Sequence, residues 1–181
     1  DGGVALLITS TERARDLKQK PAVIRVVTQA STRGQEQMTS FYREELDRLP
    51  EMELAARRVY AMSGLGPEDM DVVEVHDASA MGEIIQAENL GLVPLGGGGP
   101  AAERGEFTLG GRTPINPSGG LESKGHPLGA TGIGQLYELV TQLRGEAGAR
   151  QVEGARHAIQ ENGGGLQGIE EAAVAVHILS R

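Results

Sequence analysis

His126 is the residue around which chemistry could be built, because it stands in a stretch, residues 114–134, where nine of twenty-one positions are glycine or proline. Gly119, Gly120 and Gly125 permit backbone conformations and close approaches that a side chain would block, and Pro127 suits the first turn of a helix, where a missing N–H costs nothing. The spacing therefore predicts His126 at a helix N-terminus. Unpaired N–H groups and the positive end of the helix dipole there favour an anion or a developing oxyanion. The plain alternative is a surface turn that merely contains a histidine, but such a turn needs two or three glycines and not this many.

Two further groups stand where chains of this kind place reactive side chains. His76-Asp77 follows the apolar run Val72-Val-Glu-Val, and Glu161-Asn162-Gly163-Gly164 follows Ala155–Gln160. Three loops that follow strands converge at one sheet edge, so His76, the Asn116–His126 turn and Glu161 are expected to meet. Asn116, Ser118, Gly119, Gly120 and Gly125, with Asn162, Gly163 and Gly164, form the candidate substrate and oxyanion loops. Together they supply a base, an oxyanion donor and a proton shuttle, the parts that carbonyl chemistry needs. The alternatives stay open: His76 as a structural histidine bonding Asp77, and Glu161 as a turn cap or an arginine partner. His157 and His177, inside strand patterns, read as structural. No histidine spacing suits a metal site, no Lys-Ser/Thr follows the glycines as in a P-loop, and no three-glycine dinucleotide fingerprint follows the first strand.

The elements that must position these residues read as follows. Residues 4–9 form a short strand, and Ser10 caps the helical charge pattern after it. Residues 21–28, 71–76, 115–116, 155–160 and 171–179 form five strands. Residues 35–48, 51–63, 79–90 and 129–143 form helices, and 92–112 is a long glycine-rich excursion that is functional, interfacial or disordered. The order implies an α/β fold, a mostly parallel five-stranded sheet with helices on both faces and an antiparallel strand at the C-terminus. A domain rarely starts in mid-strand, so residues 1–20 read as the remnant of a preceding half and its linker, and 21–181 as one domain.

At 181 residues and 39% hydrophobic, the chain fits one domain, and with 3% aromatics and no Trp its core must be aliphatic. The absence of Cys excludes disulfides, thiolate metal sites and a thiol nucleophile on this chain, and is compatible with a reducing compartment. A net charge of −8 argues against nucleic acid or an anionic membrane as partner. No apolar run approaches the roughly 20 residues of a membrane span and no signal-peptide pattern opens the chain, so a cytoplasmic location is expected.

Asn116-Pro-Ser-Gly-Gly, Gly125-His126-Pro127 and the following Gly129 and Gly132 resemble the histidine motif of the thiolase superfamily in its sterol-carrier-protein-type and archaeal form. Residues 71–78 are similar to the His-Asp-Cys-Phe segment of those relatives, and 161–165 to their last active-site loop. The resemblance covers the second half of a family member. It implies a thiolase-like half whose coenzyme A thioester is substrate and not cofactor, in Claisen condensation or thiolysis of a 3-oxoacyl-CoA. It also implies a nucleophilic cysteine from an N-terminal half, on the same or a separate polypeptide, a homo-oligomer, and the option of a zinc-ribbon/OB-fold accessory protein. His126 would activate the cysteine and help hold the oxyanion, and His76 would orient a water beside it. The family's second cysteine is absent: Ala78 cannot exchange a proton, and Glu161, aligned with that cysteine, is expected to take the acid/base role. A thiol-independent retro-aldolase and a non-catalytic acyl-CoA or partner-binding half are the rival readings.

Overall fold

The computed structural model describes residues 2–17, 23–31, 50–165 and 171–181. The expected helix 35–48 lies outside them. The valine-rich runs form four strands, β1 (Val23–Ser31), β2 (Val72–Glu74), β3 (His157–Gly164) and β4 (Ala173–Ser180), in the sheet order β1-β4-β3-β2. β4 is antiparallel to both β1 and β3, and only β2 and β3 run parallel. Among the described residues the five-stranded, mostly parallel sheet is thus corrected to a four-stranded mixed one. A parallel pair needs a long crossover, and here only the passage from β2 to β3 carries helices that lead back to a hydrogen-bonded neighbour; β3 and β4 are close in sequence and pair antiparallel. The strand expected at 115–116 shrinks to one parallel bridge between Val73 and Ile115. Pro114 before it has no N–H to donate, and Asn116 after it turns to φ 50°.

The helices are α1 (Thr11–Ala14), α2 (Pro50–Ser63), α3 (Ala80–Asn89), α4 (Gly98–Glu103), α5 (Gly120–Lys124) and α6 (Thr131–Arg144). Ser10 and Ser79 cap α1 and α3 through their hydroxyls, as their positions suggest. Alternating strand residues feed two cores, so helices cover both faces as expected. Val73, Ile159, Val174, Val176 and Ile178 pack with Met52, Ala55, Ala56 and Val59 of α2, while Val72, Ala158 and Leu179 pack with Leu136, Leu139 and Leu143 of α6. Burying an aliphatic side chain of this size contributes about 1.5–3 kcal/mol.

Two other expectations change and a third narrows. Residues 4–9 pair with no strand. Leu6 instead leans on the α6 core, Gly2 lies against Pro127, and Leu7 and Ile8 are exposed. The excursion 92–112 is built and not loose: it contains α4, sends Ala101 and Phe107 into the larger core, and returns through the bond from Ile115 N–H to the Phe107 carbonyl (2.9 Å). Glu161 to Gly164 lie within β3 and not in a loop after it, because the ladder with β4 continues to Gly164↔Ala173. Among the described residues, no helix is long and apolar enough to cross a membrane.

Candidate active site

The end of β2 is where the chemistry gathers. Glu74, a carboxylate in an otherwise apolar strand, is fully buried. Its Oε1 accepts the Ser118 N–H (3.1 Å), its Oε2 accepts the Ser118 hydroxyl (2.8 Å), and Lys124 Nζ lies 3.5 Å from Oε2 while donating to Ser118 Oγ at 2.6 Å. Three residues on, buried Asp77 accepts the Leu121 N–H at 2.7 Å. Gly120, at φ 62°, makes this possible: a Cβ there would stand 1.9 Å from Asp77 Oδ2. Asn116 completes the clamp. It donates its backbone N–H to the Val73 carbonyl (2.8 Å), accepts the Val75 N–H on Oδ1 (2.8 Å), and gives its side-chain N–H to Glu83 of α3 (3.2 Å). The glycine turn is therefore pinned to the strand end by side chains that neutralise its backbone N–H groups.

This turn delivers His126 to His76, with ring centroids 4.9 Å apart and planes 58° to one another. His126 does not head a helix, as the sequence predicted. α6 starts only at Thr131, because Pro127 forms a preliminary turn in which its carbonyl accepts from Ala130 and Thr131. His126 Nδ1 lies 2.7 Å from Thr131 Oγ1, and that hydroxyl donates to the Pro127 carbonyl (3.3 Å). In the Nδ1–H tautomer Thr131 Oγ1 accepts from the ring, its own hydrogen goes to the Pro127 carbonyl, and Nε2 keeps its lone pair. His76 Nδ1 lies 2.8 Å from the Gly163 carbonyl, which can only accept, so His76 is the same tautomer. The alternative of a His76–Asp77 bond is replaced by this one. Burial pushes the His76 ring below its ordinary pKa; the Gly163 carbonyl opposes this, the His126 ring adds to it, and Asp77 opposes it. The Asn162 amide sits 3.3 Å from His76 Nδ1, and its Oδ1 is 2.8 Å from where a Cβ on Gly132 would be, so only glycine lets α6 approach this closely.

Glu161 is brought to the site but not to its open side. It is fully buried, and its Oε2 accepts the His76 backbone N–H at 3.0 Å. A carboxyl so enclosed cannot exchange a proton with substrate directly, which corrects the expected acid/base contact to a place behind His76. Ala78 is exposed beside the pair. His126 lines an open cleft of about 810 Å³ between Gly2–Val4 and Lys124–Ala130. Gly119, Gly120 and Gly125 all take positive φ, and Gly163 and Gly164 run extended in β3 beside His76. His157 and His177 are structural, bonding Ser180 Oγ and Gln160 Oε1 respectively. Arg112 is committed to the Leu92 carbonyl and Glu106. Among the described residues no three His, Asp or Glu side chains gather as metal ligands do.

Glu74, Asp77 as clamp, and Thr131 are the residues that sequence reasoning missed. A charged residue inside Val72-Val-Glu-Val was a usable signal for the first; Thr131 carried none.

An α/β layer that presents two imidazoles at the carboxyl ends of its parallel strands is of a type that binds ligands at that edge. The family described as thiolase C-terminal domain-like matches residues 32–181, and the chain belongs to it. The chain is 43% identical over 181 residues to the acetyl-CoA acetyltransferase of Methanothermobacter thermautotrophicus, covering 100% of this chain and 45% of that protein. It is 45% identical over 165 residues to sterol carrier protein 2 of Bos taurus, covering 90% and 30%. Among solved structures, a chain of the Ltp2-ChsH2(DUF35) aldolase aligns with a TM-score of 0.80 at 31% identity, over 94% of this chain and 42% of that one. The chain thus spans less than half the length of each of these relatives.

Two outcomes test the clamp. Gly120→Ala combines a left-handed backbone with overlap on Asp77 and should cost about 2 kcal/mol or more in denaturant unfolding; an unchanged midpoint would refute the clamp. Burial pushes Glu74 up to about 7 against the pull of Lys124 and the Ser118 bonds. A carboxyl raised on folding contributes stability that is complete below its unfolded value, roughly 4.3, and is lost as pH rises toward 7. Glu74→Gln should therefore flatten the fall of Tm over that window, whatever its effect on Tm itself, and an unaltered slope would count against it.

Proposed function

We propose that this chain is the C-terminal half of a thiolase-like acyl-CoA acyltransferase, carrying out Claisen condensation or thiolysis of a 3-oxoacyl-CoA. The observation that carries the reading is the His76–His126 pair, each ring tied at Nδ1 so that Nε2 is left for the reaction. A cysteine from an N-terminal half gives its thiol proton to His126 Nε2, and the thiolate attacks the thioester carbonyl. The resulting imidazolium then donates Nε2–H to the tetrahedral oxyanion. His76, kept neutral by burial, can only accept at Nε2, so it serves the oxyanion by holding a water that donates to it. Ala78 offers no proton and Glu161 is enclosed, so the group that exchanges the α-carbon proton belongs to the N-terminal half as well. A homo-oligomer and an accessory subunit of zinc-ribbon/OB-fold type fit this reading, and the place of work is the cytoplasm.

The likeness to an aldolase and the absence of Cys favour a second reading, a thiol-independent retro-aldolase on CoA esters. In the assembled protein, His126→Ala should lower the rate of acyl transfer to enzyme about 10²–10⁴-fold, and alkylation of thiols should abolish turnover. Turnover that survives alkylation would favour the aldolase. Covalent labelling within residues 1–181 by radiolabelled acetyl-CoA would contradict both.

A further inference from the structure

Behind His76 lie two carboxyl groups that the proposed reaction does not use. Glu161 accepts the His76 N–H on Oε2, but its Oε1 is buried with no hydrogen-bond partner among the described residues. Glu171, entering from the approach to β4, fills the space that a side chain on Gly163 would take: a Cβ there would stand 1.8 Å from both its Cδ and its Oε1. Glu171 Oε2 is likewise buried without a partner. Glu161 and Gly163 are two residues apart on one face of β3, so the carboxyl groups share a space about 7 Å across. Neither has a Lys or Arg partner among the described residues. The other titratable groups facing Glu161 are Asp77, of the same sign, and the His76 residue itself.

Two uncompensated carboxylates this near in an apolar setting do not both ionise at neutral pH, because desolvation and mutual repulsion act together. We propose that Glu161 and Glu171 hold one proton between them, and that Glu161 is thereby a positioning residue for His76. The geometry makes the link direct: Glu161 holds the His76 backbone, and the residue against which Glu171 packs, Gly163, holds the His76 ring through its carbonyl. Loss of the shared proton drives the two carboxylates apart and strains both anchors at once. Burial raises the proton affinity of both groups, and the Glu171 charge raises that of Glu161 further, in keeping with this. The catalytic relevance of the device rests on the role proposed above for His76, whereas the pair itself does not.

The test is infrared and nitrogen NMR spectroscopy of the assembled, full-length protein and of its Glu161→Gln, Glu171→Gln and Glu161→Ala variants. At neutral pH the wild type should show the C=O stretch of a buried, protonated carboxylic acid, and Glu171→Gln, which removes the neighbouring charge, should shift the loss of the Glu161 band to lower pH. Raising the pH should remove that band and shift the His76 backbone and ring nitrogen signals in step. Glu161→Gln mimics the protonated acid and should hold those signals constant over the same range. In turnover, Glu161→Gln should match the wild type at neutral pH, while Glu161→Ala lowers kcat about tenfold with KM little changed. Absence of the band at neutral pH, an unchanged titration of it in Glu171→Gln, or His76 signals that titrate alike in wild type and Glu161→Gln would overturn the proposal. Failure of the protein to transfer acyl groups would sink the functional reading, while the infrared and NMR signals would still decide whether the pair shares a proton.

Discussion

Backbone N–H groups captured by buried carboxylates at the end of β2 are the constraint from which the rest of the site follows. A glycine-rich turn has little intrinsic shape, since each glycine gives up more conformational freedom on ordering than any other residue. Glu74 and Asp77 supply what the glycines lack. By accepting from Ser118 and Leu121 they fix the turn at two points, and Asn116 fixes it at a third. His126 then has one place to go, beside His76. The same bonds use up N–H groups that could otherwise have bound an anion, so in the proposed reaction the oxyanion falls to the imidazoles.

Much of the framework was legible because it follows from periodicity. The largely apolar run of 171–179 marked β4, and the helices at 51–63 and 79–90 were readable from the spacing of their apolar residues. Strand direction was not. Whether β1 joins β4 antiparallel or lies beside another strand depends on crossovers that local pattern does not encode. The run Val4–Thr9 looked like a strand because its residues are apolar, yet a strand needs a neighbour with free backbone groups, and this segment lies on the α6 side with Gly2 against Pro127.

The site was legible in its histidines and obscure in their supports. His76 and His126 stood out because imidazole near glycine turns is an unusual use of sequence, and the structure does bring them together. Glu161 was noticed by its position but assigned to the wrong side of His76: its register on β3, opposite Val176, turns its carboxyl into the larger core. Glu74 stands as a single charge in the apolar run Val72-Val-Glu-Val. That such a carboxylate would be fully buried and satisfied by a turn more than forty residues away is a tertiary fact.

The acyl transfer proposed for this edge depends on which ring nitrogen of each histidine is free. Nitrogen-detected NMR of the histidine side chains in the assembled protein, at a pH where both rings are neutral, reads this directly. It should report the Nδ1–H tautomer for both His76 and His126, with Nε2 bare. An Nε2–H tautomer at His126 would leave no base facing the cleft and would contradict the reading of this edge as half of an acyl-transfer site.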